Sequence, residues 1–376
     1  MSSSNQPATV PSREPALDHL RALAMLAGVF FHAALAYSPL LRPWWPPAAP
    51  AGSALVDAIA WLLHLVRMPL FFLIAGYLAA ALVERRGMAG FARQRARRIL
   101  LPFLVAWPLV HLTISTATVH AARTLEQPSP MLRMLRDWLA QPDAVAPLPG
   151  TGHLWFLYYL LILGMLHWVG RTLGAGVWME HAARIGLRRL ALLLPLALWP
   201  AFWLTSAPHP APEGLLPQFW ALALYGAFYG FGMLLHDRID SLATLRPWLL
   251  PGALLTLAAY ALFFHELETT GAPLLRADAA SAALQALVAA WGTLVCLVAG
   301  QRALAHPRRW LRYLSGSAYW IYLVHLPVLF LIQYRLLDTN WPWPLQFLLS
   351  VTLTLAVCLV SYEGLVRRTR LARWVG

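Results

Sequence analysis

Three residues bring chemistry into the apolar segment "LDHLRALAMLAGVFFHAALAYS" (17–38): Asp18, Arg21 and His32. On a helix, a spacing of eleven residues is about three turns, so Arg21 and His32 share a face about 16 Å apart along the axis. Asp18 precedes Arg21 by three residues and falls on the same stripe, where it can pair with the guanidinium. A guanidinium binds phosphate or carboxylate oxygens. An imidazole exchanges a proton near neutral pH. One helix face thus offers an anion-binding group near one end and a proton-exchanging group further along.

Taken singly, Arg21 reads as an arginine snorkelling to the headgroups and His32 as a hydrogen-bonded interior residue. Similar residues recur, however, in other apolar segments. "HLVRMPLFFLIAGY" (64–77) holds His64 and Arg67, neighbours on a helix surface, with Arg67 too deep to snorkel. "GHLWFLYYL" (152–160) opens with His153 and Trp155, and "SAYWIYLVHLPVLF" (317–330) carries His325 just before Pro327. A proline there leaves a backbone carbonyl without its usual donor and bends the helix, as at cavity walls. "SYEGLVRR" places Glu363 near the end of the last apolar segment, a candidate partner for His325. Ionisable groups in such segments mark a cavity, a pathway or a chemical site. No P-loop, dinucleotide fingerprint, HExxH or CxxC pair is present, so no metal site is expected.

The elements that must position these residues are membrane helices. The chain is 59% hydrophobic and 12% charged over 376 residues, with a mean hydropathy of +0.58, which excludes an ordinary soluble enzyme. About 20 apolar residues cross a bilayer. Segments 17–38, 54–82, 99–119, 153–169, 189–205, 218–235, 247–266, 280–300, 313–336 and 343–366 are of that kind, the fifth and sixth being short and broken by Pro or Gly. The expected fold is an all-α integral membrane protein, a bundle of about ten transmembrane helices. It comprises an N-terminal tail (1–16), one polytopic domain (17–366) and a C-terminal tail (367–376). The motif "ALA" at 34–36 resembles a signal-peptidase site, but the polar residues and the length of the run favour a retained first helix.

The net charge of +13 comes from 29 basic residues, all arginine. With the N-terminus inside, 21 of them, including Arg13, Arg97 and Arg98, fall in cytoplasmic segments and five in outer ones. The asymmetry orients both termini to the cytoplasm and speaks against nucleic acid as the partner. The outer loops, 38–52, 120–150 and 340–344, are rich in Trp and Pro. Most of these tryptophans suit an interfacial belt, and a minority suit stacking on sugar rings. Cys296 and Cys358 lie in apolar runs and read as packing residues.

In this order, "LDHLRALAMLAGVFFHAALAYS", "HLVRMPLFFLIAGYL", "RQRARRILLPFLVAWPL", "HLWFLYYLL" and "YWIYLVHLPVLFL" followed by "SYE" resemble the membrane acyltransferase-3 family. They look most like its branch of succinyltransferases acting on osmoregulated periplasmic glucans. The Arg–(ten residues)–His spacing of Arg21 and His32 is the most specific element. The resemblance implies an enzyme of the bacterial inner membrane that takes an acyl group, succinyl in that branch, from cytoplasmic acyl-CoA. The acceptor is a hydroxyl of periplasmic glucan or another extracytoplasmic carbohydrate. Acyl-CoA is then a co-substrate with no tightly bound cofactor, the bilayer is the other partner, and there is room for a homodimer.

Under that resemblance His32 corresponds to the family's first-helix histidine and Arg21 to its arginine. His64, Arg67, His153, Trp155, His325 and Glu363 fall in matching segments as substrate-binding candidates. Arg21, Arg97 and Arg98 suit the phosphates of CoA, with Asp18 orienting Arg21. His32 acts as a general base on the acceptor hydroxyl or forms an acyl-histidine. Arg67 faces the developing oxyanion or the free carboxylate of a succinyl donor. Ala75 stands where many relatives carry serine, which bears on the acceptor. Two rival readings are an acyltransferase for lipid-linked sugar or another polysaccharide, and a transporter of glucan or organic acid that uses the same groups as a proton relay.

Overall fold

A computed structural model describes residues 14–143, 149–174, 176–270 and 275–375. Arg13, most of the N-terminal tail and part of the 120–150 loop lie outside the described residues. Each of the ten apolar segments is helical. They form α1 (Pro15–Leu35), α2 (Ala54–Arg95), α3 (Leu101–Thr124), α5 (Trp155–Thr172), α7 (Leu187–Trp203), α8 (Phe219–His236), α9 (Leu249–Thr270), α10 (Ala279–Ala303), α11 (Arg309–Leu337) and α12 (Trp343–Ser361). Short helices α4 (Pro130–Leu139), α6 (Gly176–Arg184) and α13 (Ala372–Val375) complete the set. Strands β1 (Ser206–Ala207) and β2 (Leu275–Arg276), paired antiparallel with Ser206 opposite Arg276, tie the α7–α8 and α9–α10 connections together.

Seven helical runs among the described residues are long and apolar enough to cross a membrane. The count treats Ala54–Thr124 as one run of 71 residues. It leaves out α7, which has 17 residues, and α1, whose hydropathy Asp18, Arg21 and His32 lower. The bundle is therefore that of a multi-pass membrane protein.

The stretch 84–98, between the apolar segments 54–82 and 99–119, is itself helical. Glu, Arg, Ala and Gln are good helix formers, and helix continues through this stretch to Arg95, followed by a π-helical turn at Ala96–Leu100. The direction changes at Gly87, which has φ +62° and ψ 179°, a conformation open to residues without a Cβ. The expected outer loop 120–150 holds the amphipathic helix α4, capped by Ser129, whose Oγ accepts from Leu132 N at 3.2 Å.

The core sits between α2 and α8. Gly76 and Gly232 let their backbones meet: a Cβ on Gly76 would lie 1.9 Å from the Tyr229 carbonyl oxygen, and one on Gly232 equally close to that of Leu73. Small residues at such crossings are the usual device for close helix packing in lipid. Phe72, Tyr159, Tyr225 and Phe228 are fully buried around this crossing. Large apolar residues also cover the perimeter, including Leu104, Leu109 and Leu112 on α3 and Leu250, Leu254 and Leu257 on α9. A perimeter of this kind suits hydrocarbon, where no solvent penalises it.

Candidate active site

The stripe on α1 is continuous, because the helix runs unbroken from Pro15 to Leu35. Asp18 and Arg21 form an ion pair at 3.3 Å, and Arg21 Nη2 donates to Ser315 Oγ of α11 at 3.2 Å. Further along, His32 Nδ1 and His325 Nε2 are 2.9 Å apart. The protons on this pair follow from the neighbours. His325 Nδ1 lies 3.0 Å from the Ile321 carbonyl oxygen and 2.9 Å from that of Tyr322, and a carbonyl only accepts. His325 Nδ1 is thus the protonated nitrogen, leaving Nε2 to accept from His32 Nδ1–H. The neutral His32 then keeps its lone pair on Nε2.

His32 and His325 line a small cavity of about 30 Å³ together with Arg67, His153 and Trp155. His153 Nε2 donates to the Tyr322 carbonyl at 3.2 Å, and Tyr322 OH donates to the His153 carbonyl at 2.8 Å, so the turn that leads into α5 is locked to α11 at this depth. Arg67 reaches in from α2, with its Cζ 4.8 Å from the centre of the Phe31 ring. Gly28 makes room for it, since a Cβ there would lie 2.5 Å from Arg67 Nη1. Among the described residues no carboxylate pairs with Arg67. A cation at such a position costs about 2.5–3.5 kcal/mol or more to insert, and an anion placed in this cavity would offset that cost.

A second, larger cavity of about 240 Å³ opens at the Arg21 end, where Arg95 and Arg98 also line it. Met25, Phe71, Phe156 and Tyr322 line both cavities. The arginine-lined cavity and the histidine-lined one thus adjoin across an apolar wall. Arg97 points outward and is exposed, whereas Arg95, held with its Cζ 5.0 Å from the Phe91 ring centre, takes a place in the wall. Ala75 lies in the wall of this larger cavity.

On the far side of His32, the ring of Trp45 lies parallel to the imidazole within 1°, with 6.4 Å between centroids. Its loop is pinned by the buried Asp57, which accepts from Ser38 Oγ and from Leu40 N, the latter at 3.2 Å.

Two candidates lie elsewhere. His64 is separated from the cavity by Phe31, on which it stacks, and its Nε2 donates to the His209 carbonyl at 2.7 Å. Glu363 forms an ion pair with Arg367 at 2.7 Å, and the expected pairing with His325 does not occur, because His325 is already held by carbonyls of its own helix and by His32. His209 is fully buried, and its backbone N donates to Gln285 Oε1 at 3.2 Å. Nothing in its Pro-flanked surroundings marks it as an interior residue. Gly28 was also not singled out in the sequence, although residues 21, 25, 28 and 32 follow one helical stripe that could have marked it.

The model of the acyltransferase domain matches residues 14–363, which is nearly the whole chain and includes every residue of the small cavity. The chain belongs to the acyltransferase-3 family. Acyltransferase-3 membership agrees with proteins called glucans biosynthesis protein C in Salmonella schwarzengrund, Salmonella typhi and Salmonella typhimurium. Each is 23% identical over 369 residues, covering 94% of this chain and 92% of the relative. No solved structure matches. Acyl transfer needs a base for the attacking group and a positive charge for the oxyanion. In this acyltransferase His32 and Arg67 line one cavity.

Proposed function

We propose that this acyltransferase carries an acyl group, succinyl, from cytoplasmic acyl-CoA to a hydroxyl of periplasmic glucan. In this reading the chain lies in the bacterial inner membrane, crosses it ten times and has both termini in the cytoplasm. The observation that carries it is the His32–His325 hydrogen bond, which leaves Nε2 as the acceptor on a histidine that lines a cavity adjoining an arginine-lined one. The glucan acceptor rests on the names of the relatives, and the orientation on the arginine asymmetry.

The donor's phosphates meet Arg21, Arg95 and Arg98, with Asp18 and Ser315 fixing the direction of Arg21. Its arm follows the apolar wall of Phe71, Phe156 and Tyr322 to the small cavity. The acceptor hydroxyl arrives from the Trp45 side and gives its proton to His32 Nε2 as its oxygen bonds to the thioester carbon. Negative charge forms on the carbonyl oxygen, against Arg67. Collapse breaks the C–S bond, and the departing sulfur takes the proton from His32, regenerating the base. The small cavity, about 30 Å³ in volume, has room for little beyond the reacting atoms, which favours the oxyanion as the partner of Arg67 over a distal carboxylate.

Transfer of labelled succinyl from CoA to glucan, in membranes containing wild type or His32→Ala, tests the proposal. The variant is expected to retain under about 1% of the rate. Undiminished transfer by folded His32→Ala protein overturns it.

A further inference from the structure

Among the wall residues of the larger cavity that the donor reading leaves unused is a tryptophan. Trp374 lines the cavity together with Arg21, Arg95 and Arg98, although it lies beyond the last long helix. The expected C-terminal tail is folded back onto the bundle. The turn at Tyr362–Arg367 is fixed by the Glu363–Arg367 ion pair, and Arg367 Cζ lies 5.5 Å from the Tyr313 ring centre. Beyond it α13 packs against this turn and against the Ala96–Leu100 turn that carries Arg98. Val375 is only 6% exposed and Ala372 packs on the same core, so the segment is anchored on both sides of the tryptophan. Trp374 itself is 43% exposed.

An interfacial belt explains tryptophans such as Trp310 and Trp341, which are exposed and line neither cavity. It does not explain an indole in the wall of an arginine-lined cavity. The volume there, about 240 Å³, is below the roughly 300–1,000 Å³ that engulfs a drug-sized ligand. A long donor therefore leaves its head at the mouth, where guanidiniums for phosphate and an aromatic face for a heterocycle stand together. That combination is the chemistry of a nucleotide.

We propose that Trp374 is a substrate-binding residue, the platform on which the nucleobase of the donor's nucleotide head stacks, and that the C-terminal segment forms that end of the donor site. The inference rests on the acyl-CoA reading above and deepens it. Glu363 then acts at a distance from the chemistry, holding the turn that carries the platform.

The test compares two donors on the purified full-length protein, succinyl-CoA and succinyl-pantetheine, the latter lacking the nucleotide. Trp374→Ala is expected to raise KM for succinyl-CoA roughly tenfold or more, the scale of one lost base stack. Its kcat and its KM for succinyl-pantetheine stay as in wild type, which also reports that the variant is folded. Trp374→Phe keeps most of the affinity, and adenosine 3′,5′-bisphosphate loses inhibitory potency against Trp374→Ala in parallel. Equal changes for both donors reduce Trp374 to a structural role, and an unchanged KM for succinyl-CoA removes it from the donor site; either overturns the inference. A wild type that transfers from neither donor overturns the underlying reading instead.

Discussion

His32 Nδ1 and His325 Nε2 are joined by a 2.9 Å hydrogen bond whose direction is set two bonds away, by the Ile321 and Tyr322 carbonyls that hold the other nitrogen of His325. Residues 293 positions apart in the chain thereby fix a single tautomer at the base of the cavity. An imidazole so held presents its lone pair in one direction and needs no reorganisation before it accepts a proton.

His325 is thus a positioning residue acting through His32. His325→Phe keeps a flat ring in the space but offers no acceptor, so His32 loses both tautomer and orientation. Its kcat is expected to fall about 10²- to 10⁴-fold with KM for the donor nearly unchanged. A loss under about threefold, within the range of ordinary packing effects, would show that the pair is only structural.

Arg67 separates two roles by the donor it favours. If it faces the oxyanion, Arg67→Gln lowers transfer of succinyl and acetyl alike, by roughly 10²- to 10³-fold. A fall confined to succinyl, measured with both CoA thioesters on the same preparation, would assign the guanidinium to the donor's carboxylate.

Gly28→Ala tests the packing that admits Arg67. Alanine is about 1 kcal/mol better than glycine in a helix interior, so α1 itself loses nothing. The new Cβ lies 2.5 Å from Arg67 Nη1 and displaces the flexible end of that side chain. The variant is expected to be as thermostable as wild type yet slower, since a shift of about 1 Å in a catalytic group costs up to 10²-fold. Wild-type kcat with unchanged stability would place Arg67 outside the reaction.

Glu213, in the α7–α8 connection, links stability to pH. Its backbone carbonyl accepts from Thr151 N at 2.6 Å, while crowding by neighbouring protein pushes its carboxyl up to about 7 even though the residue as a whole is exposed. The folded state then binds the proton more tightly than the unfolded chain, so stability rises as pH falls from about 8 towards 5 and is lowered above 7. The side chain is partly accessible to solvent, which reduces the effect. Melting of wild type and Glu213→Gln across this range should show the variant more stable at the alkaline end, with the two converging at the acid end. Parallel curves would contradict it.

Much of the site was legible in the chain because a helix converts spacing into a face. Arg21 and His32 needed only the 3.6-residue period to fall on one stripe, and the cost of placing Arg67 in an apolar run marked it before any partner was known. The helix through Glu84–Arg95 was concealed because arginine serves both a loop at the membrane surface and a helix. Residue type suggested a His325–Glu363 pair, but it carries no depth, and Glu363 found Arg367 four residues on, one helical turn away.

By itself, then, the sequence determined the helical membrane class, the positions of the apolar segments and the polar stripe on α1. All three depend on local composition and period, which a chain carries wherever it is placed. Tertiary structure alone decided that His325 is the partner of His32, that Arg95 replaces Arg97 in the cavity wall, that His64 stands behind Phe31, and that Trp374 returns to the mouth of the donor cavity. These depend on how one helix is rotated against another, a quantity set by the summed packing of many side chains and by close crossings such as Gly76 with Gly232.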